Sequence, residues 1–136
     1  MESWLTTAFI AFLLFGLWGF FPKLAVQYIN PASAIIYQVA GTMVVALLAL
    51  KLVDFRPEVH PKGILFAVLT GVTGMLGTLF FLYSLRTGKV SIVATLTALY
   101  PLLTITLAHI VLHEQISARQ VVAIILAMAS LVLFAV

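Results

Sequence analysis

Apolar residues run through this chain in long uncharged blocks, with neither the alternation of a half-buried strand nor the polar stripe of a surface helix. Residues 3–22, 24–50, 63–85, 90–113 and 120–136 contain no Asp, Glu, Lys or Arg, and count 20, 27, 23, 24 and 17 residues. A helix crossing a hydrocarbon core of ~30 Å needs roughly 17–25 residues. In lipid every backbone amide must be satisfied inside its own element, so only helices or closed barrels span. Blocks this long are helical, since barrel strands are about 10 residues long and alternate. The pattern predicts an all-α membrane protein: a bundle of five transmembrane helices at approximately 4–28, 31–51, 63–85, 90–112 and 118–136, forming a single domain over residues 3–136.

Local signals place the ends. The first block carries no basic leader and stays apolar for longer than the ~7–15 residues of a signal-peptide core, so it is expected to be a retained span. Phe20-Phe21-Pro22-Lys23-Leu24-Ala25-Val26 keeps the apolar character going past one lysine. The first helix is therefore expected to kink at Pro22 and continue toward Tyr28. Asn30-Pro31 reads as an N-cap followed by proline at the first helical position. Residues 51–62 hold five of the eleven charges and two prolines, which makes them the one substantial loop. Arg86 followed by Gly88 has the order of a helix C-terminus, and Ser117-x-x-Gln120 has that of a capping box. No internal repeat or low-complexity tract is present.

Composition sharpens this picture. The 136 residues are 64% hydrophobic and 8% charged, against about 45–50% and about 25% in soluble domains; the mean hydropathy is +1.24. With no cysteine there is no disulfide scaffold and no thiol nucleophile. The net charge of +3 comes from seven scattered basic residues without a basic run, so nucleic acid is not an expected partner. The lipid bilayer is. With five spans, Lys51, Arg56, Lys62 and Arg119 lie on one side and Lys23, Arg86 and Lys89 on the other. Four against three places the N-terminus in the cytoplasm by a narrow margin. An odd number of spans also puts the two termini on opposite sides, and a second copy in the inverted orientation would build the kind of paired repeat in which many transporters hold a midplane site.

Two spans carry faces with chemical content. In the third, Ala67, Gly71, Gly74 and Thr78 follow at spacings of 4, 3 and 4, with Gly77 beside them; this is a helix-packing face where small residues let backbones approach. The fourth is the most polar, with Ser91, Thr95, Thr97, Tyr100, Thr104, Thr106 and His109 around Pro101. Proline has no N–H for the carbonyl one turn earlier, that of Thr97, and a freed carbonyl beside hydroxyls can meet a solute's donor groups. The alternative is that these hydroxyls bond back to their own helix. Trp18, next to Gly19, is placed to wall a cavity or to pack. Tyr37 and Gln38 are costly to show to lipid and are expected to face inward.

Trp18, Tyr37, Gln38, Thr97, Tyr100 and Pro101 are thus the candidates for a substrate cavity. Lys23, His109 and Glu114 are the candidates for a charge or proton role, although no Asp or Glu lies inside any span: Glu2, Asp54, Glu58 and Glu114 all sit at edges. His109 and His113 share a helix face beside Glu114, yet a zinc site needs a third rigid ligand and the H-E-x-x-H order is missing. No metal, no cofactor and no catalytic set is expected, and an enzyme is disfavoured.

Trp18-Gly19-Phe20 with Lys23, Tyr83-Ser84-Leu85 with Gly88 and Ser91, Thr97-Ala98-Leu99-Tyr100-Pro101, and Glu114-x-x-Ser117-x-x-Gln120 before a last apolar helix together resemble an EamA-like domain of the drug/metabolite transporter superfamily. The similarity covers essentially the whole chain. It implies a multipass permease of small metabolites or drug-like solutes, usually with two such domains in tandem and opposite orientation around a substrate cavity. A chain with one domain is then expected to work as a homodimer, antiparallel if both insertions occur, in the cell's inner membrane, with rocking of one protomer against the other giving alternating access. An accessory subunit of a heteromeric transporter or lipid-linked head-group flippase is the alternative. Two departures stand out: His113 precedes Glu114 where the family usually has glycine, and the first span lacks the membrane glutamate that four-span multidrug relatives use for proton exchange.

Overall fold

The computed structural model describes residues 3–135 and is all-helical among them: α1 (Ser3–Tyr28), α2 (Pro31–Leu52), α3 (Pro61–Thr87), α4 (Val90–Thr97), α5 (Tyr100–Leu112) and α6 (Ala118–Ala135). Glu2 and Val136, which the sequence placed at the edges of the first and last spans, lie outside the described residues. α1, α2, α3 and the stretch Val90–Leu112 are each long and apolar enough to cross a membrane. α6, with 18 residues, is a shorter apolar helix. Most apolar side chains in every helix are exposed within the single chain, as lipid-facing residues must be.

The starts of the helices follow their caps. Asn30 takes the extended conformation and its Oδ1 accepts from the Ser33 N–H at 2.8 Å, with Pro31 first in α2. Ser117 and Gln120 form the reciprocal box: the Ser117 N–H donates to Gln120 Oε1 at 2.8 Å, and the Gln120 N–H donates to Ser117 Oγ at 3.3 Å. At α3 an unforeseen cap appears, His60 Nδ1 accepting from the Gly63 N–H at 3.3 Å. α1 continues through Pro22 to Tyr28, as its apolar continuation suggested.

Two ends differ from expectation. Gly88 follows α3, but no described glycine has a positive φ, so the left-handed cap that glycine usually supplies is not used there. Left-handed residues occur elsewhere, at Asp54 (φ 50°) and Phe55 (φ 59°) after α2 and at His113 (φ 55°) after α5. The predicted fourth span is also not one helix: it stops at Thr97 and resumes at Tyr100. The Leu99 N–H turns to Leu96 O at 3.3 Å and the Leu102 N–H to Leu99 O at 3.0 Å, tighter turns than an α-helix makes.

Contacts divide the chain into two compact units, one ending at Thr87 and the other beginning at Gly88. In the first, the buried residues are Pro22 from the C-terminal half of α1, Pro31 and Ala34 from the first turn of α2, and Thr78, Phe81, Leu82 and Leu85 from the C-terminal half of α3. Leu82 and Leu85 are completely enclosed. Among the described residues of this unit, nothing approaches within 4 Å of a Cβ built on Gly16, Gly19, Gly41, Gly71, Gly74 or Gly77. In the second unit α4 packs on α6.

Candidate functional site

A recess of about 250 Å³ opens on the first unit, where α1, the start of α2 and the end of α3 converge. α1 turns one face toward it at helical spacing, with Trp18, Pro22 and Ala25 and with Phe21 alongside, and Ile29 follows just past its end. α2 contributes Ala34, Tyr37 and Gln38, and α3 contributes Leu82. Three of the residues singled out in the sequence, Trp18, Tyr37 and Gln38, therefore share one recess. The Trp18 ring is fixed from behind, stacked on the buried Phe81 ring at 5.7 Å between centroids and 10° between planes. Gln38 is half-buried and Tyr37 is largely exposed. Among the described residues neither their amide nor their hydroxyl is hydrogen-bonded to another group of the chain.

Lys23 has a structural partner that sequence spacing alone did not reveal. Its half-buried ammonium donates to the Leu85 carbonyl at 2.7 Å. Leu85 is in the last turn of α3, where carbonyls lack intrahelical donors and the helix dipole is negative. The lysine thus ties α1 to the C-terminal end of α3, joining Arg86 as a cation in that last turn. The signal that could have pointed to this was the position of Lys23 within an otherwise apolar helix, since such a charge needs a partner.

In the second unit the remaining candidates gather at the two ends of α5. Thr97, Tyr100 and Pro101 are exposed and flank the helix break. Pro101 offers no N–H to the Thr97 carbonyl. The Thr97 hydroxyl donates back to Val93 O at 2.9 Å, and Thr104 and Thr106 likewise donate to Tyr100 O and Leu102 O, so the hydroxyls satisfy their own helices while keeping lone pairs outward. At the other end His113 caps α5 in the left-handed conformation, with the Glu114 N–H reaching back to Ala108 O at 3.4 Å. This bond closes seven residues, one more than the six of a Schellman turn, and the left-handed position just before it is one that glycine ordinarily fills. His109 Nδ1–H donates to the Glu114 carbonyl at 2.8 Å, so in the neutral ring the lone pair resides on Nε2. No three His, Cys, Asp or Glu side chains cluster among the described residues.

Of the small-residue face, Thr78 is buried and donates to Gly74 O at 2.8 Å, whereas Ala67, Gly71 and Gly74 are exposed in the single chain. Within the first unit, nothing among the described residues lies within 4 Å of a Cβ built on Gly71 or Gly74.

Comparison with known proteins settles the family. Residues 2–136 match the EamA-like transporter family. The chain belongs to that family. A relative in Methanocaldococcus jannaschii, an uncharacterized protein, is 23% identical over 136 residues, covering 100% of this chain and 98% of its own. No solved structure matches. As an EamA-like protein with four clearly apolar spans and a shorter fifth, the chain is a multipass integral membrane protein of a transporter family.

Proposed function

We propose that this EamA-like protein is a permease subunit that moves a small metabolite or drug-like solute across the cell's inner membrane, working as a homodimer with its solute path between protomers. The observation that carries this reading is the recess of the first unit, where an aromatic ring, a phenol and an amide meet on a membrane protein of a transporter family. Ala67, Gly71 and Gly74, open in the single chain, form the face against which the second protomer packs, because small residues give van der Waals contact where no hydrophobic effect joins helices. Rocking of one protomer against the other exposes the recess to each side in turn. Thr97, Tyr100 and Pro101 remain candidates for solute contact on the broken helix of their own unit.

Purified protein in phosphatidylcholine vesicles, tested against a panel of amino acids, nucleobases, sugars and aromatic amides, should show protein-dependent uptake. Failure to move any member would sink the permease reading. Tags at both termini in intact cells should appear on both sides if the dimer is antiparallel, and on one side each if it is parallel.

A further inference from the structure

Resting on the permease reading, we infer that the recess selects a neutral, flat-ringed solute carrying an amide-like edge, with its ring on Trp18 and its edge paired to Gln38.

The ring specificity comes from geometry. One face of Trp18 is covered by Phe81, which fixes the indole plane, and Trp18 lines the recess together with Phe21, Leu82 and Ile29. A rigid, pre-positioned aromatic surface favours a flat partner, whose offset stacking adds about 0.5–1.5 kcal/mol beyond the area covered. A volume near 250 Å³ gives room for a substituted ring.

The edge specificity comes from Gln38. Its amide offers both a donor and an acceptor, and among the described residues it bonds to no other group of the chain. In a bilayer such a group is costly until something pairs with it. A second amide satisfies both halves at once. A carboxylate can only accept, leaving the Gln38 oxygen unpaired; a quaternary ammonium offers no hydrogen bond at all. Charge points the same way. The lining residues include no Lys, Arg, His, Asp or Glu, so a solute with full charge enters without a counter-ion in the recess. The Tyr37 hydroxyl, beside Gln38, can give or take one further bond.

The test uses the full chain carrying Trp4→Phe, which leaves Trp18 as the only tryptophan, in phosphatidylcholine vesicles. Trp18 emission is titrated with four probes: benzamide, benzoate, benzyltrimethylammonium and cyclohexanecarboxamide. Benzamide should bind saturably, about tenfold or more tightly than benzoate or benzyltrimethylammonium, the scale set by leaving one buried acceptor unpaired, and about threefold or more tightly than cyclohexanecarboxamide, the scale of lost ring stacking. Gln38→Leu should erase the preference over benzoate while keeping the preference for a flat ring. Benzoate or the cation binding as tightly as benzamide overturns the inference, as does a preference for benzamide unchanged by Gln38→Leu. The probe series on the Trp4→Phe chain decides the matter even if Gln38→Leu does not fold. Selective benzamide binding in vesicles that transport nothing removes the permease reading alone. Transport of other solutes with no benzamide preference removes this inference alone.

Discussion

Pro22 and Pro101 each sit inside a long apolar run, yet one leaves its helix whole and the other stands at a break. α1 passes through Pro22 for 26 residues, while the fourth span stops at Thr97 and restarts at Tyr100. The local chemistry is the same: proline withholds an N–H from the carbonyl four residues back and its ring crowds that carbonyl. The surroundings are not. Pro22 is buried, one turn from Trp18 on Phe81 and one residue from Lys23 on Leu85, so α1 is anchored to α3 on both sides of it. Thr97, Ala98, Tyr100 and Pro101 are all exposed within their unit. A proline is tolerated in a helix where tertiary contacts hold both flanks, and breaks it where they do not.

Removing the anchors should therefore cost more than removing either proline. Leu82→Ala empties a completely enclosed site and is expected to lower the stability of the first unit by about 2–5 kcal/mol, read as a loss of melting temperature in detergent and of hydrogen-exchange protection in α1 on either side of Pro22. Unchanged protection there would break the comparison.

Lys23→Met follows at about 1.5–3 kcal/mol, the worth of a hydrogen bond to a charged group. Lys23→Arg should restore much of it, since a guanidinium can still donate to the Leu85 carbonyl. Exchange of amides near the end of α3 distinguishes this capping role from a general loss of packing.

Pro101→Ala should allow residues 98–101 to join α4 and α5 into one helix, gaining about 1 kcal/mol and slowing amide exchange there about fivefold. Pro22→Ala should change exchange in α1 far less, because that helix is already continuous. Equal effects at the two prolines would refute the reading given above.

His113→Gly is expected to gain about 1 kcal/mol by relieving a non-glycine left-handed residue, measured by thermal melting. The smallest effect is at Gly74. With nothing within 4 Å, Gly74→Leu should leave the fold of the single chain within about 0.5 kcal/mol, while crosslinking between protomers falls sharply if that face holds the dimer.

Several features were legible in the sequence because they depend on neighbours in the chain. The spans follow from the cost of placing charge or unpaired amides in lipid, and the caps at Asn30 and at Ser117-Gln120 are closed by groups three residues apart. The left-handed turn at His113 was half visible, because the family resemblance led to an expectation of glycine there. The site was legible only in its parts. Tyr37 and Gln38 could be singled out as costly to expose to lipid and Trp18 as a ring beside a glycine, but their meeting in one recess depends on how α1 and α2 pack.

What the sequence by itself determined is an all-helical membrane protein, because hydropathy and local capping act over one helix at a time; the transporter family rests on the match across residues 2–136. Tertiary structure alone decided which proline breaks its helix, where the Lys23 charge finds a carbonyl, and that the glycines of α3 lie open while its last turns are enclosed. Each of these depends on contacts between residues dozens of positions apart, and no periodicity within a single helix encodes them.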